Sequence, residues 1–337
     1  MRGGEALELL RTRSLDREEA LALFRGIMAG HLGEIEIAAV LAALKTRGET
    51  PSEIAGAAQA MREHAVPFPA PDYPFADTCG TGGDGVGSLN VSTAVAFVAA
   101  DLGLPVAKHG NRSVSSRCGS ADVLEALGAR LDAPPEVSRR CLDDAGVCFL
   151  LAPQYHPGVR HAMPVRRTLA TRTMFNLLGP LANPARPPIQ LMGVYDPQLV
   201  APLAETLGLL GCDAALVVHG AGHDELVLHG SSTVARWQDG RLDAFMLTPE
   251  RAGLAAAPAA AIQGGEPAEN AAWLRAVLAG QATSAQTDAV ALNAGALAWV
   301  ARRYATLPEA VAGAREAMLG AGPLRRLNHF IELSHGT

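Results

Sequence analysis

Apolar residues recur with helical spacing through residues 1–65. Residues 16–19, Asp-Arg-Glu-Glu, form a capping-box start with Asp as N-cap and Glu at N3, and the apolar positions that follow predict a helix ending near Gly30. A second helix is predicted at residues 34–45, and the Thr-Pro-Ser-Glu sequence at residues 50–53 predicts the start of a third. The N-terminal region is therefore predicted to be helical.

A proline-rich connector at residues 67–74 separates this region from a segment with a different pattern. Beyond it, short apolar runs typical of buried strands alternate with helical segments, which indicates a mostly parallel sheet. Residues 234–246 instead show two β-like runs around an Asp-Gly pair, a hairpin signal, and residues 270–318 return to a helical pattern. The proline-rich stretch 177–188 is predicted to be a loop that crosses between domains. The predicted strands lie at residues 104–107, where the strand ends at Lys108, and at residues 146–151, 189–195 and 214–219.

The length of the chain, 337 residues, favours two domains over a single core. We predict a small N-terminal helical domain at residues 1–68, joined by part of residues 160–188, and a larger α/β domain with a mostly parallel central sheet at residues 75–337. In open α/β sheets, ligands bind beyond the carboxyl ends of the strands. The polar segments that follow predicted strands are therefore the candidates for a functional site.

Charge and composition narrow the possible partners. Lys and Arg number 28 against 34 Asp and Glu, and the resulting net charge of −6 argues against nucleic acid as a partner. Aromatic residues make up only 4% of the chain, which argues against stacking on bases. Neither a membrane-spanning stretch nor a signal peptide is predicted. The five cysteines include no Cys-x-x-Cys pair, so a reducing, cytoplasmic location is expected.

The glycine-rich segment at residues 80–85, Gly-Thr-Gly-Gly-Asp-Gly, is the first candidate for ligand binding. Glycines let a backbone approach a ligand and expose its N–H groups, and the start of the next helix favours an anion. The glycine spacing also matches a dinucleotide fingerprint, and without a ligand the segment is a tight strand-to-helix turn. Asp84 fits beside a phosphate only if a metal lies between them. Four polar side chains follow at the start of the helix: Ser88, Asn90, Ser92 and Thr93.

The segment at residues 108–116, Lys-His-Gly-Asn-Arg-Ser-Val-Ser-Ser, is more specific, because its cations are accompanied by hydroxyl and amide groups suited to phosphate oxygens. Its alternative interpretation is a solvated basic turn. The adjacent carboxylates Asp224 and Glu225 suit Mg²⁺, although alone they would be interpreted as a solvated acidic pair. His219 and His223 have a spacing seen in zinc sites, but no third ligand is apparent.

Two further sites carry candidate chemistry. Arg166 and Arg167 are suited to binding a carboxylate, because arginine forms bidentate pairs with it, or they are charges on a helix surface. His156 stands alone in the sequence, and such a histidine is more often structural than catalytic.

With these motifs in place, the chain resembles the anthranilate phosphoribosyltransferase family. The resemblance runs in the same order along nearly the whole chain, and the segment at residues 108–116 is its most specific part. At two positions the chain departs from the family pattern: Ala170 stands where glycine is usual, and His223 stands where an apolar residue is more common. The matching stretches are residues 80–84, 90–93, 108–116, 120–128, 172–184 and 224–225.

The resemblance implies transfer of the 5-phosphoribosyl group from phosphoribosyl pyrophosphate to the amine of anthranilate, with Mg²⁺ as cofactor. It assigns catalytic roles to Lys108, which would neutralise the leaving pyrophosphate, and to Arg166, which would pair with the carboxylate of anthranilate. Phosphoribosyl pyrophosphate would be held by Gly80, Gly83, Asp84, Ser88, Asn90, Val91, Ser92, Thr93, Lys108, Asn111, Arg112, Ser113, Ser115, Ser116 and Ser120. The anthranilate site would be lined by Gly80, His109, Asn111, His156, Arg166 and Gly179, and Mg²⁺ would be held by Ser92, Asp224 and Glu225.

The resemblance also implies a homodimer formed through the helical domain. Two other functions are compatible with the same fold. One is a pyrimidine nucleoside phosphorylase, against which the segment at residues 108–116 argues. The other is a nucleic-acid-binding relative without catalysis, against which the acidic net charge argues.

Overall fold

The helical N-terminal region forms as its sequence predicts in the computed structural model, which describes residues 1–113 and 117–336. The Asp16 carboxylate accepts a hydrogen bond from the Glu19 N–H at 2.8 Å, and the Thr50 hydroxyl accepts one from the Glu53 N–H at 3.3 Å, so both predicted capping boxes are confirmed. The helices of this region are α1 (Gly3–Leu10), α2 (Arg17–Met28), α3 (Glu34–Arg47) and α4 (Pro51–Glu63).

The rest of the chain is built around a seven-stranded sheet with the order β3-β2-β1-β4-β5-β6-β7. The first five strands in this order run parallel to one another, β6 pairs antiparallel with β5, and β6 and β7 form an antiparallel hairpin. Asp239 and Gly240 at the hairpin turn both have positive φ, as the Asp-Gly signal predicts. The strands are β1 (Ala76–Gly80), β2 (Val106–Gly110), β3 (Val147–Leu151), β4 (Ile189–Gly193), β5 (Ala214–Gly220), β6 (Ser232–Gln238) and β7 (Arg241–Leu247).

Helices cover both faces of the sheet, as is usual for parallel strands. The longer helices are α5 (Val91–Asp101), α7 (Pro135–Ala145), α11 (Val200–Leu209), α12 (Pro267–Leu278), α13 (Ser284–Val300), α14 (Leu307–Leu319) and α15 (Gly322–Ser334). The shorter helices are α6 (Ser120–Ala126), α8 (Ala152–Tyr155), α9 (Met163–Leu169) and α10 (Phe175–Leu181). Across residues 1–113 and 117–336, no helix is both long enough and apolar enough to cross a bilayer.

Two apolar clusters divide the core between the two faces of the sheet. One contains α5 and the C-terminal helices, including Phe97 and Phe330, whose ring centroids are 5.8 Å apart. The other joins the N-terminal helices to α10, α11 and the opposite face of the sheet, and its Phe24 and Phe175 rings are also 5.8 Å apart. The predicted fold class, a small helical region beside a larger α/β part with a mostly parallel sheet, is confirmed.

Two sequence predictions of local structure were wrong. The strand predicted to end at Lys108 continues to Gly110, so Lys108 and His109 are the third and fourth residues of β2. The strand is longer because its parallel pairing with β3 continues to the end of both strands. The stretch expected to be a loop from residue 177 begins within α10, in spite of Pro180. Pro180 lies one residue from the end of this short helix, so it removes a single backbone donor while the flanking leucines remain buried.

Candidate active site

The glycine-rich segment and the Asp224-Glu225 pair meet at the carboxyl ends of the central strands, as the topology of the sheet predicts. The Gly82 N–H donates to Oδ2 of Asp224 at 2.8 Å, and the Thr81 N–H donates to the Gly193 carbonyl at 2.9 Å. A small cavity opens between the ends of β1, β4 and β5 and the start of α5. Its polar lining includes Thr78, Cys79, Ser92, Asp224 and Glu225.

Two glycines make room for the acidic pair. Gly80 and Gly193 lie opposite each other at the ends of β1 and β4. A Cβ on Gly80 would lie 2.2 Å from Oδ2 of Asp224, and one on Gly193 would lie 1.6 Å from the Asp224 carbonyl oxygen. The sequence analysis did not select Gly193, although a glycine at the end of an apolar strand is a signal of close backbone approach.

Three carboxylates, Asp84, Asp224 and Glu225, lie close enough to affect one another. Burial and the charge of Asp84 raise the pKa of Asp224 to about 6, and burial and the charge of Asp224 raise the pKa of Glu225 well above its usual range. Oδ2 of Asp84 and Oε2 of Glu225 are buried without a hydrogen-bond partner among the described residues. Partly buried oxygen ligands with excess negative charge suit a hard divalent cation.

These carboxylates do not form a complete metal site by themselves. Within the described ranges, no three Asp, Glu, His or Cys side chains are grouped so that they could hold an ion alone. Mg²⁺ is commonly bound by one or two carboxylates, with waters and substrate phosphates as the remaining ligands. The residues present therefore fit Mg²⁺ better than a fully protein-bound zinc ion.

Lys108 brings a positive charge beneath the cavity. Its ammonium group donates to the Thr78 carbonyl at 2.5 Å and to the Ser92 hydroxyl at 3.2 Å, and the residue is only 2% exposed. Burial lowers the pKa of Lys108, and the nearby carboxylates, first Asp77 and then those of Glu225 and Asp224, oppose this shift. The side chain thus delivers positive charge close to the acidic pair.

Asp77 and Asn183 form a buried polar network that the sequence analysis missed. The Asn183 amide donates to Asp77 at 2.9 Å and to the Ala107 carbonyl at 2.8 Å, and the His109 N–H donates to Asp77 at 3.3 Å. Both side chains are fully buried, and burial raises the pKa of Asp77. A polar residue inside an apolar strand is the sequence signal that marks such a position.

His109, the residue after Lys108, points to the opposite face of the sheet, because side chains alternate along a strand. Its Nδ1 lies 3.0 Å from the Gly179 carbonyl, and its ring packs edge-on against His156 with centroids 5.1 Å apart. Burial lowers the pKa of His109 to about 3 and that of His156 to about 4. Three residues predicted to bind anthranilate are therefore in contact, and both rings are neutral at pH 7.

Arg166 lies on α9, and its side chain contacts Met163 and Phe175. Its guanidinium lies 5.4 Å from the centre of the Phe175 ring and 3.8 Å from the Met163 sulfur, and no carboxylate pairs with it among the described residues. Burial alone lowers its pKa. A half-buried arginine without an acidic partner is available to bind an anion.

Other residues that were predicted to bind phosphoribosyl pyrophosphate form hydrogen bonds or ion pairs within the chain. Asn90 donates to the Cys118 carbonyl at 3.2 Å and accepts from the Asn270 amide at 2.8 Å. Arg112 forms an ion pair with Glu125, so its guanidinium is already engaged.

The remaining members of the predicted phosphate site lie around these contacts. Ser88 bridges to Gln263, the Asn111 side chain accepts from the Arg112 N–H at 2.8 Å, the Ser113 N–H donates to Asp122 at 2.9 Å, and the Ser120 hydroxyl donates to the Asn111 carbonyl at 3.3 Å. Val91 and Thr93 are buried at the start of α5, Gly83 lies in the glycine-rich turn, and Ser115 and Ser116 are outside the described residues.

The helical bundle and the mostly parallel α/β part each match a family model of a class of glycosyl transferases. The family model described as "Glycosyl transferase family, a/b domain" matches residues 72–322, and the one described as "Glycosyl transferase family, helical bundle domain" matches residues 7–65. Within this class, the chain belongs to the anthranilate phosphoribosyltransferase family.

Relatives and solved structures support this membership. Anthranilate phosphoribosyltransferase from Sorangium cellulosum is 61% identical over 320 residues, covering 95% of this chain and 92% of the relative, and that from Aeromonas salmonicida is 54% identical, covering 97% of each. The crystal structure of anthranilate phosphoribosyltransferase from Thermus thermophilus aligns with a TM-score of 0.94 and 45% identity, covering 99% of this chain and 100% of that one. The Saccharomyces cerevisiae enzyme in complex with phosphoribosyl pyrophosphate and Mg aligns with a TM-score of 0.82 and 29% identity, covering 98% and 91%.

Proposed function

We propose that this chain transfers the 5-phosphoribosyl group from phosphoribosyl pyrophosphate to the amine of anthranilate in tryptophan biosynthesis. The ribose C1–O bond to pyrophosphate breaks, a C1–N bond forms, and the amine proton is lost to solvent. The single observation that carries the proposal is the alternation along β2. Lys108 faces the acidic cavity, while the next residue, His109, faces Gly179 and His156. We also place the protein in the cytoplasm, where its five free, buried cysteines would stay reduced.

Binding of phosphoribosyl pyrophosphate is assigned to the carboxyl edge of the sheet. The left-handed glycines Gly82 and Gly83 leave the backbone of their turn open to close approach by a phosphate. Lys108 supplies positive charge that stabilises the leaving pyrophosphate, where negative charge increases in the transition state. The same site includes Gly80, Asp84, Ser88, Asn90, Val91, Ser92, Thr93, Asn111, Arg112, Ser113, Ser115, Ser116 and Ser120.

Mg²⁺ is assigned to Ser92, Asp224 and Glu225. The support is the set of partly buried carboxylates with unpartnered oxygens, together with the relative whose structure contains phosphoribosyl pyrophosphate and Mg. Bound Mg²⁺ would neutralise developing charge on phosphate oxygens. The Asp224 carboxylate accepts a hydrogen bond from the Gly82 N–H, and the lack of side chains at Gly80 and Gly193 leaves room for it in this position.

Anthranilate is assigned to the face of β2 that carries His109. Arg166 would bind its carboxylate, and His109, His156, Gly179, Gly80 and Asn111 would line the pocket. A relative from Saccharomyces cerevisiae is described in complex with 4-fluoroanthranilate. Because burial lowers the pKa of both histidines, neither is a strong base at pH 7, and catalysis rests on holding the amine in line with C1.

The deciding experiment follows the loss of anthranilate fluorescence when phosphoribosyl pyrophosphate is added, with and without Mg²⁺. A fast, Mg²⁺-dependent loss is expected. If fluorescence persists while phosphoribosyl pyrophosphate binds by calorimetry, the acceptor has been wrongly assigned. Phosphorolysis of a pyrimidine nucleoside in place of this reaction would favour the nucleoside phosphorylase function.

We further propose a homodimer formed through the helical domain. Ile35 on α3 is 87% exposed, and covering it in a subunit interface would remove its apolar surface from water. Light scattering should give about twice the 35.0 kDa mass of the chain. Ile35→Glu should shift the protein towards monomer, and a monomeric wild-type protein would contradict the proposal.

The helical domain is proposed to include part of residues 160–188 as well as residues 1–68. Contact between Phe24 and Phe175 supports this grouping, and so does the hydrogen bond from Arg62 to the Leu181 carbonyl at 2.7 Å. The α/β domain then begins near residue 75, after the proline-rich connector.

A further inference from the structure

Arg172 connects the glycine-rich turn to the segment that follows α9. Its guanidinium donates to the Gly83 carbonyl and lies 3.9 Å from the centre of the Tyr195 ring. Gly83 has φ +76°, and its neighbour Gly82 has φ +63°, so the backbone at this point has wide conformational freedom of its own. The glycines do not restrict the conformation of the turn by themselves, so the hydrogen bond from Arg172 to the Gly83 carbonyl supplies a restriction from outside the turn.

Tyr195 contacts the same turn from the end of β4. Its backbone N–H donates to the Thr81 hydroxyl at 3.1 Å, while its ring supports the guanidinium of Arg172. Arg172 and Tyr195 thus hold residues on both sides of Gly82. The ring contact also fixes the plane of the guanidinium, which directs its N–H groups.

The helical region holds the other side of the same segment. Lys45 on α3 donates to the Thr171 hydroxyl at 2.6 Å and to the Arg172 carbonyl at 2.8 Å. A chain of polar contacts therefore runs from α3 through residues 171–172 to Gly83. The preceding residue, Ala170, has φ +45°, a left-handed conformation that ends α9 and turns the chain towards Lys45.

We infer that Arg172 is a positioning residue that sets the shape of the glycine-rich turn for phosphoribosyl pyrophosphate and ties that turn to the helical region through Lys45. The inference rests on the proposed function, because it concerns the same phosphate site. Arg172 acts through the Gly83 backbone. To hold the turn it needs both its planar guanidinium, with several N–H donors, and the stacking of that group on Tyr195. Lysine has the charge but neither of these features.

The test compares steady-state kinetics of purified wild-type enzyme with Arg172→Ala and Arg172→Lys. Both variants should raise the KM for phosphoribosyl pyrophosphate about tenfold, the effect of losing one hydrogen bond from a charged donor. The KM for anthranilate and the kcat at saturating substrate should change less than about twofold. Melting temperatures should stay within about 2 °C of wild type, because Arg172 is exposed.

Further variants separate positioning from direct contact. Tyr195→Phe keeps the ring and should retain the wild-type KM, whereas Tyr195→Leu should raise it. Lys45→Met should raise the same KM by a smaller factor and should add little to Arg172→Ala, because both act through one segment. Arg241→Ala serves as the control, since this exposed arginine on β7 is remote from the turn in the sheet order.

Each outcome has a definite meaning. Full retention of the wild-type KM by Arg172→Lys would overturn the inference, because charge alone would then suffice. An unchanged KM in Arg172→Ala would overturn it as well, while leaving the proposed function intact. Failure of the wild-type enzyme to consume anthranilate would instead remove the proposed function on which the inference rests.

Discussion

Lys108 and His109 are neighbours on β2, and their side chains lie on opposite faces of the sheet. A charged and a polar residue in the middle of a buried strand are costly unless each has partners. Lys108 finds them in the Thr78 carbonyl and Ser92, and His109 finds one in the Gly179 carbonyl. The alternation of the strand then places a cation on the acidic side and a neutral ring on the other.

Arg166 provides the first prediction at the residue scale. Arg166→Ala should raise the KM for anthranilate by roughly 10- to 100-fold, the effect of losing a charge-assisted hydrogen-bonded pair. The KM for phosphoribosyl pyrophosphate should change little, because the contacts of Arg166 are with Met163 and Phe175 on the acceptor side. Initial rates over a matrix of both substrate concentrations measure the two effects separately.

The control for this prediction is Arg303→Ala, which removes an exposed arginine that forms no ion pair among the described residues. It should leave both constants unchanged. Equal effects of Arg166→Ala on both substrates would indicate a general structural role and would contradict the carboxylate assignment.

Single residues were predictable where their chemistry is local. Asp224 and Glu225 could be selected because adjacent carboxylates after a strand are conspicuous, and the structure brings them to the glycine-rich turn. The need for glycine at position 193 could not be predicted in the same way, because it arises from the Asp224 carbonyl that packs against this residue. A glycine at the end of an apolar strand signals that another backbone approaches closely, but no local pattern shows that the approaching group is the Asp224 carbonyl, which comes from a segment distant in sequence.

At the element scale, the ends of β1 and β4 are expected to tolerate no side chain. Gly193→Ala would place a Cβ 1.6 Å from the Asp224 carbonyl oxygen, so the acidic segment must move. A shift of about 1 Å in a catalytic group commonly costs on the order of 100-fold in rate, and a loss of that size is expected here. Activity assays measure the loss, and circular dichroism tests whether the variant is folded.

Gly4→Ala is the matched control, because no atom lies within 4 Å of its added Cβ and the residue is within α1. It should keep full activity and gain slight stability, since alanine favours helix more than glycine does. A folded Gly193→Ala enzyme with wild-type activity would show that the close approach to Asp224 is not required.

The start of α4 gives a second prediction at this scale. Glu53 has no exposed surface, and its carboxylate accepts from the Leu15 N–H at 2.8 Å, the Thr50 N–H at 2.9 Å and the Arg47 guanidinium. Glu53→Gln breaks this buried pair and should lower the free energy of unfolding by about 3 kcal/mol. Urea denaturation followed by circular dichroism measures the change.

Glu309 occupies the same capping-box position in α14 but is exposed. Glu309→Gln should therefore cost only about 0.5 kcal/mol, as expected for an exposed cap with a partner that glutamine can still satisfy. Equal losses for the two substitutions would mean that burial of Glu53 contributes nothing beyond the cap.

Elements were predictable from sequence where a local signal and the packing agree. The capping boxes of α2 and α4 and the Asp-Gly hairpin combine a local hydrogen-bonding pattern with apolar residues that become buried. The part of α10 from Leu177 to Leu181 was predicted to be a loop because Pro180 signals one, whereas burial of Leu177, Leu178 and Leu181 stabilises the helix. Tertiary packing, which no single segment encodes, decided that case.

At the scale of the whole molecule, the pH dependence of stability sums opposing contributions. His109 and His156 have folded pKa values of about 3 and 4, below the ordinary 6.5, so the unfolded chain binds more protons than the folded one between these values. They therefore reduce stability as the pH falls below 6.5. Asp224, with its pKa raised to about 6, acts in the opposite direction, because its folded form takes up a proton first.

A difference between variants isolates the histidine contribution. His156→Asn removes one titrating group, so the wild-type free energy of unfolding should fall by about 2 kcal/mol relative to this variant between pH 7 and pH 5. Urea denaturation of both proteins at each pH provides the four values needed. The contributions of Asp224 and the other carboxylates cancel in the comparison, since they are common to both proteins.

His329→Asn is the control, because His329 is exposed on α15 and its replacement should leave the difference between pH 7 and pH 5 unchanged. The same dependence in both variants would mean that burial at the site does not set the protonation of His156. The expected result links stability to function, since the burial that keeps the His109 and His156 rings neutral also destabilises the fold in acid. In the proposed anthranilate site, the neutral rings of His109 and His156 carry no charge of their own, so Arg166 would supply the cation for an incoming carboxylate.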